Sequence, residues 1–195
     1  EDDIEQTVKV MGGEDWQLWV KLLKQFNLLS EDFQTVSFSY LGGEVTRAIY
    51  YDGTLGKAKE DLERHCESIN VDFKDRQPAK VAVLKAIVTQ SSAAIPSLSV
   101  YISALYKVMK AKGTHEDCIT QVIRLFSTGL FPENELLCRS DKPYRLRLDE
   151  FELEDSIQSE VKALVYNIQQ SDIDGKVDFE GFKQDFLKLF GFKWG

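Results

Sequence analysis

Cysteine and histidine are scarce in this chain, with three of one and two of the other in 195 residues. Cys66, Cys118 and Cys138 are odd in number and far apart. That excludes a dense disulfide framework and a cysteine-rich zinc site, and it suits a reducing compartment inside the cell. His65 and His115 have no partner at metal-ligand spacing. Both are expected at the surface, and no metal site is expected. Long apolar runs are also missing. The longest, IPSLSVYISALYKVM, stops short of the roughly 18 residues a membrane-spanning helix needs and is followed by lysines. The first residues, EDDIEQ, are acidic and lack a signal-peptide layout. Positive charge is in deficit, with a net charge of -8 and a pI near 4.9. A nucleic-acid partner held by a basic footprint is therefore not expected. Neither a GxGxxG nor a P-loop occurs, and there is no internal repeat or low-complexity tract.

Apolar content of 43% is that of a globular chain, and the length suits one region spanning 1–195. EDWQLWVKLLKQF (14–26) repeats its apolar residues at helical spacing after a Gly12-Gly13 break. QTVSFSYL (34–41) alternates apolar with small polar residues and reads as a strand. A charged amphipathic helix is expected over 54–70, and a β-branched second strand over 79–88. TQSSAAIPSLS then has the composition of a loop. Helices are expected over 98–111 and 115–127, divided at Gly113 with Thr114 as cap, then over 152–168 and 180–190. The stretch between them reads as a loop with short strands. A strand, a helix and a strand in this order imply a parallel crossover. Two parallel strands do not make a stable sheet. The expected fold is therefore α/β, one half of a doubly wound parallel-sheet domain; the alternative is a two-strand remnant packed on a partner chain.

Within YLGGEVTRAIYYDGTLGKAK (40–59), Tyr50 and Lys59 lie nine residues apart. On one continuous helix they would be rotated by about 900° and face opposite ways. Asp52-Gly53 is a strong turn dipeptide, and Thr54 is a good N-cap for the following helix. The pattern places a tyrosine on a loop facing a lysine on the first turns of a helix. A buried tyrosine beside an ordinary glycine-containing loop is the alternative.

The blocks VKVMGGEDWQLWVKLL, SYLGGEVTRAIYYDGTLGKAKEDLE, IVTQSSAAIPSLSVYISALYKVMKAKGTHEDCITQVIRL and FKQDFLKLFGF resemble the trans-2-enoyl-CoA reductases and the V-type bacterial enoyl-acyl-carrier-protein reductases. The resemblance runs over nearly the whole chain, with order and gaps kept. It implies the helix-rich, Rossmann-like C-terminal half of such an enzyme, with the N-terminal dinucleotide-binding half absent. The activity implied is reduction of the C2–C3 double bond of an enoyl thioester, on CoA or acyl carrier protein, by NADH held with the help of the missing half. The Tyr-x8-Lys motif of the family falls on Tyr50 and Lys59, and a second tyrosine on Tyr40. The segment near nicotinamide and pyrophosphate falls on Thr89, Gln90, Ser91 and Ser92, with Lys59 at the ribose. The acyl-pocket helix falls on Leu98, Ile102 and Tyr106, four apart on one face. A protein partner supplying the other half, or a non-catalytic role in a larger assembly such as a mitochondrial one, follows from the same resemblance.

In this chemistry Tyr50 donates to the developing enolate oxygen, and a nearby Lys59 ammonium is expected to lower its pKa. Tyr40 is a second donor or a strand-end tyrosine on the core, and Leu98, Ile102 and Tyr106 are pocket or plain core. Ser91 and Ser92 contact the cofactor or form a helix-capping turn before Pro96. Gly43 stands where the family usually has proline, which is expected to loosen the loop carrying Tyr40. The segment 170–186 imitates a calcium loop with Asp172, Asp174 and Gly175. Gln170 at its first position and Gly181 at its twelfth lack the required carboxylates.

Overall fold

The computed structural model describes residues 2–74, 76–95, 97–131, 138–169 and 173–192. The chain divides into two compact units, each interrupted in sequence. The first holds residues 1–41, 47–84 and 122–148, and the second 42–46, 85–121 and 149–195.

In the first unit, helices Asp2–Met11 (α1) and Glu14–Gln25 (α2) precede strand Thr35–Ser39 (β1). The one-turn helix Arg47–Tyr50 (α3) and the long helix Thr54–Asp72 (α4) lead to strand Ala79–Val83 (β2). The two strands pair in parallel, Thr35 opposite Ala79 and Ser39 opposite Val83. They are not alone. Arg139–Lys142 (β3) and Arg145–Arg147 (β4) form an antiparallel hairpin, and β4 pairs in parallel with β2. The sheet thus has four strands in the order β1-β2-β4-β3, which corrects the expectation of two.

The core of this unit forms where α2 and α4 cover β2. Val20, Leu62, Cys66, Ile69, Ala79 and Val81 are buried together, with Trp16, Phe33 and Phe73 packed around them. Asn70 joins helix to strand through two bonds of 2.9 Å to the backbone N–H and C=O of Ala79. Those bonds satisfy a buried polar side chain and a strand end at once. Gly12 and Gly13 let α1 and α2 approach α4: a β-carbon on Gly13 would lie 2.4 Å from Cβ of His65. The hairpin is tied by charge. Asp141 binds Arg145 and Arg147, and Glu63 of α4 binds Arg145 at 2.7 Å and Lys142 at 3.0 Å.

The second unit is helical. It contains Gln90–Ala94 (α5), Leu98–Lys112 (α6), the start of Cys118–Arg124 (α7), Asp155–Asn167 (α8), Ile173–Lys176 (α9) and Phe179–Lys188 (α10). Helix α6 is apolar nearly all round, as a central helix must be: Tyr101, Ile102, Leu105, Tyr106 and Met109 are all buried. It packs against α8 and α10, which contribute Ile157, Val161 and Phe182. Gly113 closes α6 in the left-handed conformation, as its place in the sequence implies. The cap at the start of α7 is Asp117, not Thr114: its carboxylate accepts from the Thr120 N–H at 2.7 Å.

Candidate functional site

Tyr50 and Lys59 are joined by the expected turn, with two differences. Tyr50 ends the short helix α3 instead of lying on a loop, and α4 is capped by Gly53 backbone because Thr54 is already helical. The N–H groups of Tyr51 and Asp52 both bond the Arg47 carbonyl, at 2.9 and 3.0 Å. The first turn of α4 lies hard against this corner. A β-carbon on Gly56 would be 1.9 Å from the Tyr51 carbonyl oxygen, so only glycine fits that approach.

The corner brings Tyr40, Tyr50 and Lys59 together. The Tyr40 and Tyr50 rings meet edge to face, with centroids 4.8 Å apart and planes at 86°. Lys59 Nζ lies 5.7 Å from the Tyr50 ring centroid, within cation–π range. Among the described residues no side chain bonds the Tyr50 hydroxyl and no carboxylate pairs with Lys59. Burial raises the Tyr50 pKa and lowers that of Lys59. The expected lowering of Tyr50 by the ammonium is thus reversed: at this distance desolvation outweighs the charge.

The other expected site residues fall in the second unit. Thr89 is the N-cap of α5 and shares a capping box with Ser92: the Ser92 N–H donates to Thr89 Oγ1 at 3.2 Å, and the Thr89 N–H to Ser92 Oγ at 3.0 Å. Ser92 is buried by this role, whereas Gln90 and Ser91 face outward. Pro96 lies outside the described residues. Leu98 and Ile102 are core, at 5% and 0% exposure. Tyr106 differs from them. It borders a cavity of about 400 Å³ with Ile87, Val88, Cys118 and Leu189, and its hydroxyl donates to Asp185 at 2.9 Å. Gly43 makes room for a neighbour, since a β-carbon there would lie 2.1 Å from Oε1 of Gln158.

Both histidines are less exposed than expected, His115 being half-buried. His65 is buried, its Nδ1 bonded to Gln17 at 2.7 Å. The His115 ring packs edge-on to Tyr106 at 4.5 Å. Burial, helped by Lys85 and Lys110, lowers the His115 pKa to about 4, so it is neutral at ordinary pH. In the calcium-like segment, Gln170, Asp172 and the Asp174 side chain lie outside the described residues, and Gly181 is instead capped by Asp178 at 2.9 Å.

Sequence reasoning missed a buried polar group in the second unit. Lys85, 2% exposed, donates to the Ala86 carbonyl at 3.1 Å and lies 5.2 Å from the Tyr106 ring. Burial lowers its pKa against the opposing charge of Glu152. Glu152 is fully buried and accepts from the Ala86 N–H and the Tyr101 hydroxyl, both at 2.6 Å. A lysine inside the run AKVAVLKAIV was the one available signal.

Residues 1–131 match the family model described as the trans-2-enoyl-CoA reductase catalytic region, and residues 140–195 one described as the enoyl reductase FAD binding domain. An enoyl-[acyl-carrier-protein] reductase [NADH] of Saccharophagus degradans is 48% identical over 98% of this chain and 48% of its own length. A trans-2-enoyl-CoA reductase of Euglena gracilis is 44% identical over 98% of this chain and 35% of its own. The crystal structure of Treponema denticola trans-2-enoyl-CoA reductase in complex with NAD superposes with a TM-score of 0.91 at 41% identity, covering 97% of this chain and 47% of that one. The chain thus spans about half the length of most of the curated relatives it matches.

Proposed function

The chain belongs to the trans-2-enoyl-CoA reductase family, and from that premise we propose that it carries the tyrosine–lysine pair for NADH-dependent reduction of trans-2-enoyl thioesters in fatty acid synthesis. The observation that carries the reading is the corner of Tyr50, Tyr40 and Lys59. Bound NADH supplies the hydride that adds at C3 of the substrate. Negative charge then builds on the thioester oxygen, where the Tyr50 hydroxyl donates a hydrogen bond and stabilises the enolate. Tyr40, edge-on to Tyr50 at 4.8 Å, holds the ring in place.

The residues fit the cofactor. Lys59 is drawn into the protein without an acidic partner among the described residues, an arrangement that suits a polyhydroxylated, anionic group. Within the second unit, Gln90 and Ser91 have exposed side chains while Thr89 and Ser92 shape the turn, and a cofactor contact of their own is proposed for Gln90 and Ser91. No step is assigned to a flavin: in the segment matched by that model, Arg145 and Arg147 are committed to Asp141, and Lys162 to Glu44. Tyr106, at its cavity, is the proposed acyl contact, and Leu98 and Ile102 belong to the core. Free cysteines at 66, 118 and 138 support a reducing compartment, with the mitochondrion as the specific proposal; cell fractionation tests it.

A complementary half, on the same or another chain, is the proposed partner. The reading is tested by joining residues 1–195 to the half of the Saccharophagus degradans relative that they do not match, then following NADH oxidation with enoyl-CoA and enoyl-acyl-carrier-protein. Turnover by this joined protein supports it, and no turnover with either carrier rejects it.

A further inference from the structure

The strand ladder ends at Val83, although the apolar run continues to Val88. Leu84, Lys85, Ala86 and Val88 are nevertheless buried, and buried backbone N–H groups need acceptors. The Leu84 N–H still donates to the Ser39 carbonyl at 3.0 Å, and for the next two residues side chains take over. The Lys85 N–H donates to Gln121 Oε1 at 3.0 Å, and the Ala86 N–H to Glu152 Oε2 at 2.6 Å. The other oxygen of Glu152 accepts from the Tyr101 hydroxyl at 2.6 Å. Gln158 Nε2 completes the group, donating to the Tyr101 hydroxyl at 3.2 Å and to the Glu152 carbonyl at 2.7 Å.

Ala86 precedes the segment Thr89–Ser92 and Tyr101, on α6, follows it. One carboxylate therefore pins the chain on both sides of that segment. The capping box of Thr89 and Ser92 is closed on itself; it fixes the shape of the turn but not its place. The place comes from the two flanks, and Glu152 holds both. We propose that Glu152 is a positioning residue for the Thr89–Ser92 segment, acting as a staple between Ala86 and Tyr101. Its link to cofactor binding rests on the reductase reading; the staple itself does not.

Glu152→Gln keeps the size of the side chain but removes its charge and one acceptor, so the charge-assisted bonds of the staple are lost. Loss of a hydrogen bond to a charged group corresponds to about tenfold in a local opening equilibrium. In the joined protein, amide hydrogen exchange over 87–92 is expected to quicken about tenfold, while amides in α4 keep their rates. KM for NADH is expected to rise about tenfold, with KM for the enoyl thioester changed less than twofold. Tyr101→Phe, which removes only the α6 arm, is expected to give the same pattern and serves should Glu152→Gln fold poorly. Unchanged exchange over 87–92 in both variants, or acceleration spread equally through α4, overturns the staple. Failure of the unmodified joined protein to oxidise NADH rejects the reductase reading, and the exchange rates still decide the staple.

Discussion

A phenol that donates to a developing enolate oxygen must keep its proton at the working pH, and burial secures that for Tyr50 by raising its pKa above the ordinary 10.0. Lys59 moves the other way, down from 10.5. Lys59 therefore loses its ammonium at a lower pH than a free lysine, and Tyr50 keeps its proton to a higher pH than a free tyrosine. KM for NADH is expected to start rising at a pH below the ordinary lysine value of 10.5, and a KM that stays flat up to that value contradicts the lowered Lys59 pKa. Tyr50→Phe is expected to cost about a hundredfold in kcat, the usual loss for one such donor. Lys59→Met is expected to weaken NADH binding as well as rate; titration of the cofactor checks it. At Tyr106, replacement by alanine is expected to enlarge the cavity and favour longer acyl chains, read as a changed ratio of kcat/KM between short and long substrates. The tyrosine–lysine pair was legible because a turn dipeptide between two side chains constrains them locally. The pKa direction was not, because it depends on how deeply folding buries the pair. Glu152 was illegible for a similar reason: nothing in DEFELED says that one glutamate is turned inward onto a distant N–H.

The corner between α3 and α4 depends on Gly56, whose missing side chain admits the Tyr51 carbonyl. Gly56→Ala is expected to destabilise by about 1–3 kcal/mol and to lower activity, since the corner carries Tyr50; urea unfolding and turnover measure the two effects. The β3–β4 hairpin depends on Asp141. Burial would raise this carboxyl, but hydrogen bonds from Arg145 and Arg147 outweigh it and hold the pKa at about 2. A carboxyl lowered on folding stabilises above its unfolded pKa, and the gain disappears as pH falls through the folded value. Asp141→Asn is expected to cost about 1 kcal/mol at neutral pH, allowing for partial exposure. The difference from the unmodified protein should close between 3.8 and about 2; a gap that persists below that range points to lost packing instead. Among the elements, long periodic helices such as α4 and α6 were readable from apolar spacing. The second strand was read as too long because burial continues past Val83 while its acceptors change from backbone to side chains. Helix α1 was overlooked although Ile4, Val8 and Met11 carry helical spacing; the acidic start concealed it. The pairing of β4 with β2 joins residues far apart in sequence, which no local pattern reveals.

At the scale of the molecule, the first unit has surfaces that suit a companion. β1 is an outer strand of the sheet, with Phe38 53% exposed. Trp19 at 63% and Phe26 at 61% stand out from α2 beside Leu18 and Leu22. Apolar area left in water forgoes roughly 25 cal/mol per Å². Four strands and two buried cores make residues 1–195 more self-sufficient than a two-strand remnant. Even so, their melting is expected to be broad alone and to sharpen on joining. The central claim is that Tyr50 acts on an enoyl thioester in concert with NADH. Its most direct test is NADH oxidation by the joined protein with an enoyl thioester, comparing the unmodified chain with Tyr50→Phe at matched melting temperature. The account requires turnover that falls about a hundredfold in the variant, and turnover within twofold of the unmodified chain would contradict it.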